Sequence, residues 1–292
     1  MSWSSFNHIE EISMKKVVVL GAGGKMGYRC SRNLKGSPYE VSHVEISEAG
    51  QARLRELDIE FRPADQVLPE ADVVILAIPD NAIHKATHAL EPLFKKGAIL
   101  IALDAAAPFA GELPDRQDLT IFVAHPCHPP IFNDETGLEA KRDYFGGLAA
   151  KQNIVCALMR GPEEHYALAE DVSRRMYAPV MRCHRATVDH MAILEPVLSE
   201  TICATCLTVI REATDEAVRR GVSKEVAHDF ILGHLNVELA ILFDQLPGVR
   251  MSDAANRAVE LAKAEIFIPD WKKVFEPEAI AQSIREITRP NS

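Results

Sequence analysis

Short runs of β-branched and aliphatic residues alternate with amphipathic stretches through the first half of the chain. Lys16–Leu20, Glu40–Ile46, Asp72–Ile78, Ala98–Asp104 and Leu119–Ala124 read as strands, several of them apolar on both faces. Between them, Lys25–Leu34 and Ala82–Phe94 read as helices, Gln51–Glu56 as a weaker helix and Ile59–Arg62 as a short extension. Buried apolar strands separated by helices predict a parallel sheet with right-handed crossovers, the doubly wound α/β architecture. Past residue 150 the pattern changes. Asn153–Met159 reads as one further strand, and the remainder as long helices. Arg185–Arg220 keeps helical spacing over many turns, with a kink expected at Pro196. Asp215–Arg219 and Glu216–Arg220 pairs and a Gly221 cap are expected at its end. Ser223 and Ser252 are expected N-caps of the next two helices, the first running to about Gln245, and Glu278–Ile287 forms the last. The pattern therefore predicts an α/β domain over residues 1–150 and an all-α domain over residues 151–292.

Composition narrows the class. A chain of 292 residues accommodates two domains, and 47% hydrophobic with 25% charged residues is a globular balance. No apolar run reaches the ~18 residues that span a bilayer, so no membrane partner is expected. Met1–Ser13 is polar and acidic, without the basic and apolar regions of a secretory signal. A net charge of -10 argues against nucleic acid as a partner, because phosphate neutralisation needs clustered Lys and Arg. The 6 cysteines are dispersed, which suits reduced thiols and a cytoplasmic location. Cys203 and Cys206 form a C-x-x-C inside an apolar helical pattern and read as buried core thiols rather than a zinc or redox site.

The first strand runs into Gly-Ala-Gly-Gly-Lys-Met-Gly at 21–27, and a helix leaves it. The turn needs glycine where the backbone doubles back, and a pyrophosphate must reach main-chain N–H groups at a helix N-terminus. With the flanking strand, helix and second strand in place, this is a Rossmann-type dinucleotide site. Gly21, Ala22, Gly23, Gly24, Lys25 and Met26 are its candidate cofactor residues. The alternative is a glycine-rich turn in some other α/β protein. Glu45 ends the second strand, 18 residues past Gly27. A carboxylate there accepts ribose hydroxyls and repels a 2′-phosphate, which favours NAD over NADP; otherwise Glu45 is a surface carboxylate pointing elsewhere. Pro79 and Asp80 follow the fourth strand and are expected to border the nicotinamide half of the cofactor. Asp104 is either near the nicotinamide or a turn cap.

Two further segments carry chemistry. Ala124-His125-Pro126-Cys127-His128-Pro129-Pro130-Ile131-Phe132-Asn133-Asp134-Glu135 follows a strand at its carboxyl end. Prolines stiffen it, and His125 and His128 suit metal binding or acid/base work. The alternative is a structural turn with one histidine hydrogen-bonded in place. In the helical half, Glu195 stands beside Pro196 in an apolar stretch. If it faces a core it needs a cation or metal as partner; otherwise it faces solvent. The long 185–220 helix is too apolar for one small domain to bury alone, so a homodimer is expected.

The glycine segment resembles that of dihydrodipicolinate reductase, and His125-Pro126 after the sixth strand resembles prephenate dehydrogenase. From Lys16 onward the chain resembles the D-apionate oxidoisomerase family, whose helical domain is related to that of 6-phosphogluconate dehydrogenase. His-Pro-Cys-His-Pro-Pro-Ile-Phe-Asn at 125–133 and Gly-His-Leu-Asn-Val-Glu-Leu at 233–239 carry the resemblance. It implies NAD-dependent oxidation of a branched sugar acid at C2, followed by migration of a hydroxymethyl group from C3 to C2. It further implies a divalent metal, zinc or magnesium, on His125 and Glu195, with His128 as base or substrate contact. Two other readings compete: a plain NAD-dependent sugar-acid or 3-hydroxyacid dehydrogenase without rearrangement or bridging metal, and a non-enzymatic NAD sensor.

Overall fold

A computed structural model describes residues 14–289, so the reading of Met1–Ser13 lies outside the described residues. In chain order the first part comprises β1 (Lys16–Leu20), α1 (Lys25–Leu34), β2 (Glu40–Val44), α2 (Glu48–Glu56), α3 (Ala64–Val67), β3 (Val73–Leu76), α4 (Asp80–Leu90), β4 (Ile99–Ala102), α5 (Ala106–Phe109) and β5 (Thr120–Pro126). It continues with α6 (Leu138–Arg142), β6 (Gln152–Arg160), α7 (His165–Met176), β7 (Val180–Arg185) and α8 (Val188–Ala192).

The seven strands form one sheet in the order β2-β1-β3-β4-β5-β6-β7. Strands β1 to β5 are parallel, as the pattern predicts. β6 runs antiparallel to β5, and β7, which sequence reading missed, is parallel to β6. The sheet is therefore mostly rather than wholly parallel. The cause is the β5–β6 connection, which holds only the five-residue α6. A chain that does not cross back over the sheet must run the next strand in the opposite sense. β7 escaped notice because most of its residues are exposed, so no apolar run marks it.

Both faces of the sheet are covered, and the pleat divides each strand between them. Val17, Val19, Ile75, Ile101 and Phe122 pack with Leu34 of α1 and Val172 and Met176 of α7. Val18, Leu20, Val74, Leu76 and Leu100 pack on the other face with Ile83 of α4 and with Leu68. Each such side chain, fully withdrawn from water, contributes roughly 1.5–3 kcal/mol. Two-sided burial explains why the strands read as unbroken apolar runs.

A third cluster joins Ala102, Val123 and Ala157 to Val188 and Met191 of α8. The first compact unit consequently runs through Ala192 and takes in the chain again from Ser283. The expected boundary at residue 150 falls short of this, because β6, α7, β7 and α8 pack on the sheet. Arg289, the last described residue, is fastened by Glu112, a buried carboxylate of this unit. Arg289 reaches it through Nε at 2.7 Å and His84 through Nδ1 at 2.8 Å, satisfying a charge that burial alone would penalise.

The second unit, Ile193–Gln282, is helical. It holds a π-helical segment (Ile193–Ala204), α9 (Thr205–Arg219), α10 (Lys224–Leu242), α11 (Asp253–Ile266) and the start of α12 (Pro277–Thr288). Pro196 lies inside the π-helical segment, where it withholds its N–H from the helical ladder. The stretch Val188–Arg219 is helical over 32 residues and, by length and composition alone, long and apolar enough to cross a membrane. Ser223 and Ser252 cap α10 and α11, accepting from Val226 N at 3.3 Å and Ala255 N at 3.2 Å. Asp215 pairs with Arg211 at 3.0 Å instead of Arg219, which turns to Glu216 together with Arg220. Cys203 is exposed and Cys206 partly exposed, so neither is the buried core thiol expected.

Candidate active site

The site is built at the carboxyl ends of the parallel strands. After Leu20 the chain turns at Gly21, whose φ is +73°, in the left-handed region. A Cβ there would stand 2.4 Å from the Ala77 carbonyl oxygen, so the turn admits no side chain. At Gly23 a Cβ would fall 2.2 Å from the carbonyl oxygen of Gly50, because the first turn of α2 lies directly against the glycine loop. α1 then begins with no acidic residue in its first turn, leaving its positive end and free N–H groups for an anion.

Glu45 joins these parts. Its Oε2 accepts from Gly23 N at 2.8 Å, and its Oε1 accepts from the backbone N–H and hydroxyl of Ser47, both at 2.8 Å. Desolvation pushes this carboxyl up, but the hydrogen bonds from Ser47 and Gly23 outweigh it and hold the group below its ordinary value. Arg53 reaches the Gly23 carbonyl through Nε at 2.6 Å. Sequence reading missed Gly50, Ser47 and Arg53. The only local signal was Ser47, which also caps α2 by accepting from Gly50 N at 3.1 Å.

A cavity of about 320 Å³ opens beside this loop. Gly24, Lys25 and Met26 line it on one side, Pro79 and Asp80 on another, and Asp104 and His125 on a third. The candidate residues of the glycine loop, the β3 end and the β5 end thus meet at one place.

His125 belongs to β5 itself rather than to the loop after it, and it registers with Val155 of β6. Its Nδ1 lies 2.8 Å from the Leu103 carbonyl. A carbonyl only accepts, so Nδ1 carries the proton and Nε2 is the unprotonated nitrogen of the neutral ring. Asp104 Oδ2 stands 3.7 Å from the same Nδ1, while its Oδ1 accepts from Ala106 N at 2.6 Å. Asp104 is therefore both a turn cap and a neighbour of His125.

His128 sits edge-on to His125, with ring centroids 6.2 Å apart. Its backbone is left-handed, at φ 60°, an uncommon conformation for a residue with a Cβ. Its Nδ1 donates to the Phe145 carbonyl at 2.9 Å, which makes Nε2 the acceptor nitrogen of the neutral ring. The loop around it is pinned. Cys127 N donates to Asn153 O at 2.9 Å, Asn133 Nδ2 to Pro130 O at 2.7 Å, and Lys151 N to Glu135 Oε1 at 2.8 Å. Glu135 thus helps to anchor the loop. Glu195 lies in the second unit, on the π-helical segment three residues past Ala192. His234 is exposed on α10, stacked on Phe230 and bonded through Nδ1 to its carbonyl at 2.8 Å.

Two family profiles match successive parts of the chain. The profile described as D-isomer specific 2-hydroxyacid dehydrogenase, NAD binding domain, matches residues 1–104. That described as phosphogluconate dehydrogenase (decarboxylating) C-term matches residues 133–288. The D-apionate oxidoisomerase of Rhizobium rhizogenes is 56% identical over 276 residues, covering 94% of this chain and 100% of the relative. That of Cupriavidus necator is 58% identical over 275 residues, covering 94% of this chain and 99% of the relative. A solved structure, a semialdehyde dehydrogenase NAD-binding protein from Cupriavidus necator in complex with calcium and NAD, superposes with a TM-score of 0.91 at 57% identity. It covers 94% of this chain and 99% of its own. The chain belongs to the D-apionate oxidoisomerase family and is an NAD-dependent oxidoreductase with a Rossmann fold and a helical C-terminal domain.

Proposed function

We propose that this enzyme converts D-apionate to 3-oxo-isoapionate: C2 is oxidised and a hydroxymethyl group moves from C3 to C2. The observation that carries this reading is the position of His125, on one cavity with the glycine loop and with its Nδ1 held by the Leu103 carbonyl. NAD held on the glycine loop supplies the hydride acceptor for C2.

An imidazole nitrogen and carboxylate oxygens form a donor set that suits magnesium or zinc. Asp104 beside His125 fits such a group, and the Leu103 carbonyl orients the ring as a second-layer partner does. In this reading His125 and Glu195 hold the cation. When bound, a divalent cation supplies Lewis-acid polarisation of the substrate's C2 and C3 oxygens. The protein's own residues do the remaining work. His128 receives a hydroxyl proton at Nε2, its Nδ1 proton being committed to Phe145. Glu45 takes the adenosine ribose hydroxyls through the acceptor capacity left beside Gly23 and Ser47. The rearrangement conserves atoms: the C3–CH₂OH bond breaks as the C2–CH₂OH bond forms, the C3 hydroxyl becomes a ketone by losing its proton, and the C2 carbonyl oxygen takes a proton to become a tertiary hydroxyl.

The helical unit is proposed to complete the substrate site and to pair with a second copy. Phe230, Leu232, Leu242 and Phe243 are each more than 60% exposed, an apolar surface that suits burial in a homodimer. Light scattering at micromolar concentration is expected to give twice the 32.3 kDa chain mass, and a monomer would contradict it. All six cysteines are free, which supports a cytoplasmic setting.

The deciding experiment supplies D-apionate and NAD and follows NADH at about 340 nm. Carbon NMR of the product then reports whether the skeleton has moved. No NADH overturns the reading, and NADH with an unmoved skeleton leaves the plain dehydrogenase.

A further inference from the structure

Phe145 touches both halves of the candidate chemistry in the first unit. Its carbonyl accepts the Nδ1 proton of His128 at 2.9 Å. Its ring lies 3.9 Å from Lys25 Nζ and 5.2 Å from the Arg29 guanidinium carbon. Lys25 and Arg29 are four residues apart on α1, so they share one face of the helix. Lys25 also lines the cavity that holds Asp104 and His125.

Neither cation has a carboxylate partner among the described residues. Arg29 gives one N–H to the Lys25 carbonyl at 2.9 Å, and its Nε is buried with no acceptor. A buried donor left unsatisfied is costly and is expected to have an explanation. The segment carrying Phe145 is firmly built. Asp143 Oδ2 accepts from Leu148 N, Ala149 N and Ala150 N at 3.0, 2.9 and 3.1 Å. Gly146 and Gly147 are left-handed, at φ 74° and 81°, and Asn33 Nδ2 of α1 donates to Gly147 O at 3.0 Å.

We propose that Phe145 is a positioning residue that holds Lys25 and Arg29 beside the glycine loop as a receptor for an anionic group of the bound ligand. That group is either the dinucleotide pyrophosphate or the carboxylate of the sugar acid. The proposal rests on the function given above. A ring face attracts an ammonium or guanidinium without neutralising it. An Asp or Glu in the same place would orient the cations equally well but would compete with the ligand for them. The positive end of α1 adds to the same field. Phe145 thereby fixes the His128 tautomer through its carbonyl and the anion receptor through its ring.

The test is a double-mutant cycle on the full-length enzyme. Two constants are read: the NADH dissociation constant by fluorescence, and KM for D-apionate. Phe145→Leu is expected to weaken one of them about three- to tenfold, the range of an exposed to partly desolvated cation–π contact. A shifted NADH constant identifies the pyrophosphate, and a shifted KM the carboxylate. Phe145→Tyr keeps the ring face and is expected to restore most of the affinity that Phe145→Leu loses. In a Lys25→Met, Arg29→Met background, Phe145→Leu is expected to add less than about twofold, because coupled residues are not additive. Both constants unmoved by Phe145→Leu, or an undiminished effect in that background, overturns the proposal.

Phe145 is 45% exposed, so Phe145→Leu is expected to melt as the unaltered chain does. If it fails to fold, Arg29→Met decides. Its ligand constants must weaken and lose part of their salt dependence; an unchanged salt dependence overturns the proposal. An unaltered enzyme that does not bind NADH defeats the functional reading and the proposal together. Normal binding with unmoved variants defeats the proposal alone.

Discussion

His125 donates its Nδ1 proton to the carbonyl of Leu103 at 2.8 Å, a bond between the carboxyl ends of the neighbouring strands β5 and β4. The bond fixes the tautomer before any ligand arrives and leaves Nε2 as the basic nitrogen. His125→Gln is therefore expected to reduce bound divalent metal and to lower kcat/KM by at least about a hundredfold. NADH affinity is expected to stay near that of the unaltered enzyme. Metal analysis alongside steady-state kinetics checks this, and retained metal with retained turnover would remove His125 from the site.

Glu195 is proposed as a metal ligand on the strength of family resemblance and its place beside Pro196. Glu195→Gln keeps the shape and removes the charge. The expected outcome is loss of both metal content and turnover with unchanged NADH binding. Survival of metal and turnover would show that Glu195 serves the helix and not the reaction.

Gly50 touches the cofactor site without belonging to the glycine motif. A Cβ on Gly50 would stand 2.4 Å from the Glu45 carboxyl carbon and 2.6 Å from its Oε2. Gly50→Ala is thus expected to push that carboxylate off Gly23 N. It should weaken NAD binding about tenfold, as Glu45→Ala should, the size expected for losing a charge-assisted hydrogen bond. Because both act on one contact, the double variant is expected to match either single one. Glu45→Ala is also expected to narrow the preference for NAD over NADP, since the carboxylate no longer repels a 2′-phosphate. Titration of both dinucleotides against the three variants gives the answer, and strict additivity would separate the two residues.

His43 on β2 makes stability depend on pH. It is 7% exposed, and burial pushes its imidazole down to about 4 although the Glu60 backbone carbonyl opposes the shift. The unfolded chain binds the proton near the ordinary value of about 6.5, so the folded state is the poorer proton acceptor. This contribution is complete above the unfolded value and is lost as the pH falls through 6.5 toward the folded value. Its full size is about 3 kcal/mol for a shift of this extent. Urea midpoints are expected to fall between pH 7.5 and 5, and His43→Gln is expected to flatten that slope. Parallel slopes for the two proteins would exclude His43 as the source.

Much of the fold was legible because its determinants are local. The two-sided apolar runs of β1, β3 and β4 and the caps Ser223 and Ser252 follow from neighbours a few residues away. β6 and β7 were less so. β6 reverses because of what the preceding loop fails to do, and β7 alternates too weakly to announce itself. Pro196 announced an irregularity through its missing N–H, but that the irregularity is a π-helical segment from Ile193 to Ala204 was not legible from it.

The sequence by itself determined the glycine turn at Gly21, the carboxylate Glu45 at the end of β2 and the histidine pair at the carboxyl end of β5. Each of these is a demand of the backbone or of chemistry at a fixed spacing along the chain. Only the tertiary structure decided what meets them. Gly50 and Arg53 reach Gly23 from the first turns of α2, and the carbonyls of Leu103 and Phe145 set the proton positions of His125 and His128. The reason is physical: a main-chain carbonyl is present at every residue and carries no side-chain signature. Which one faces an imidazole is settled by how strands and loops cross, and no periodicity along the chain encodes that.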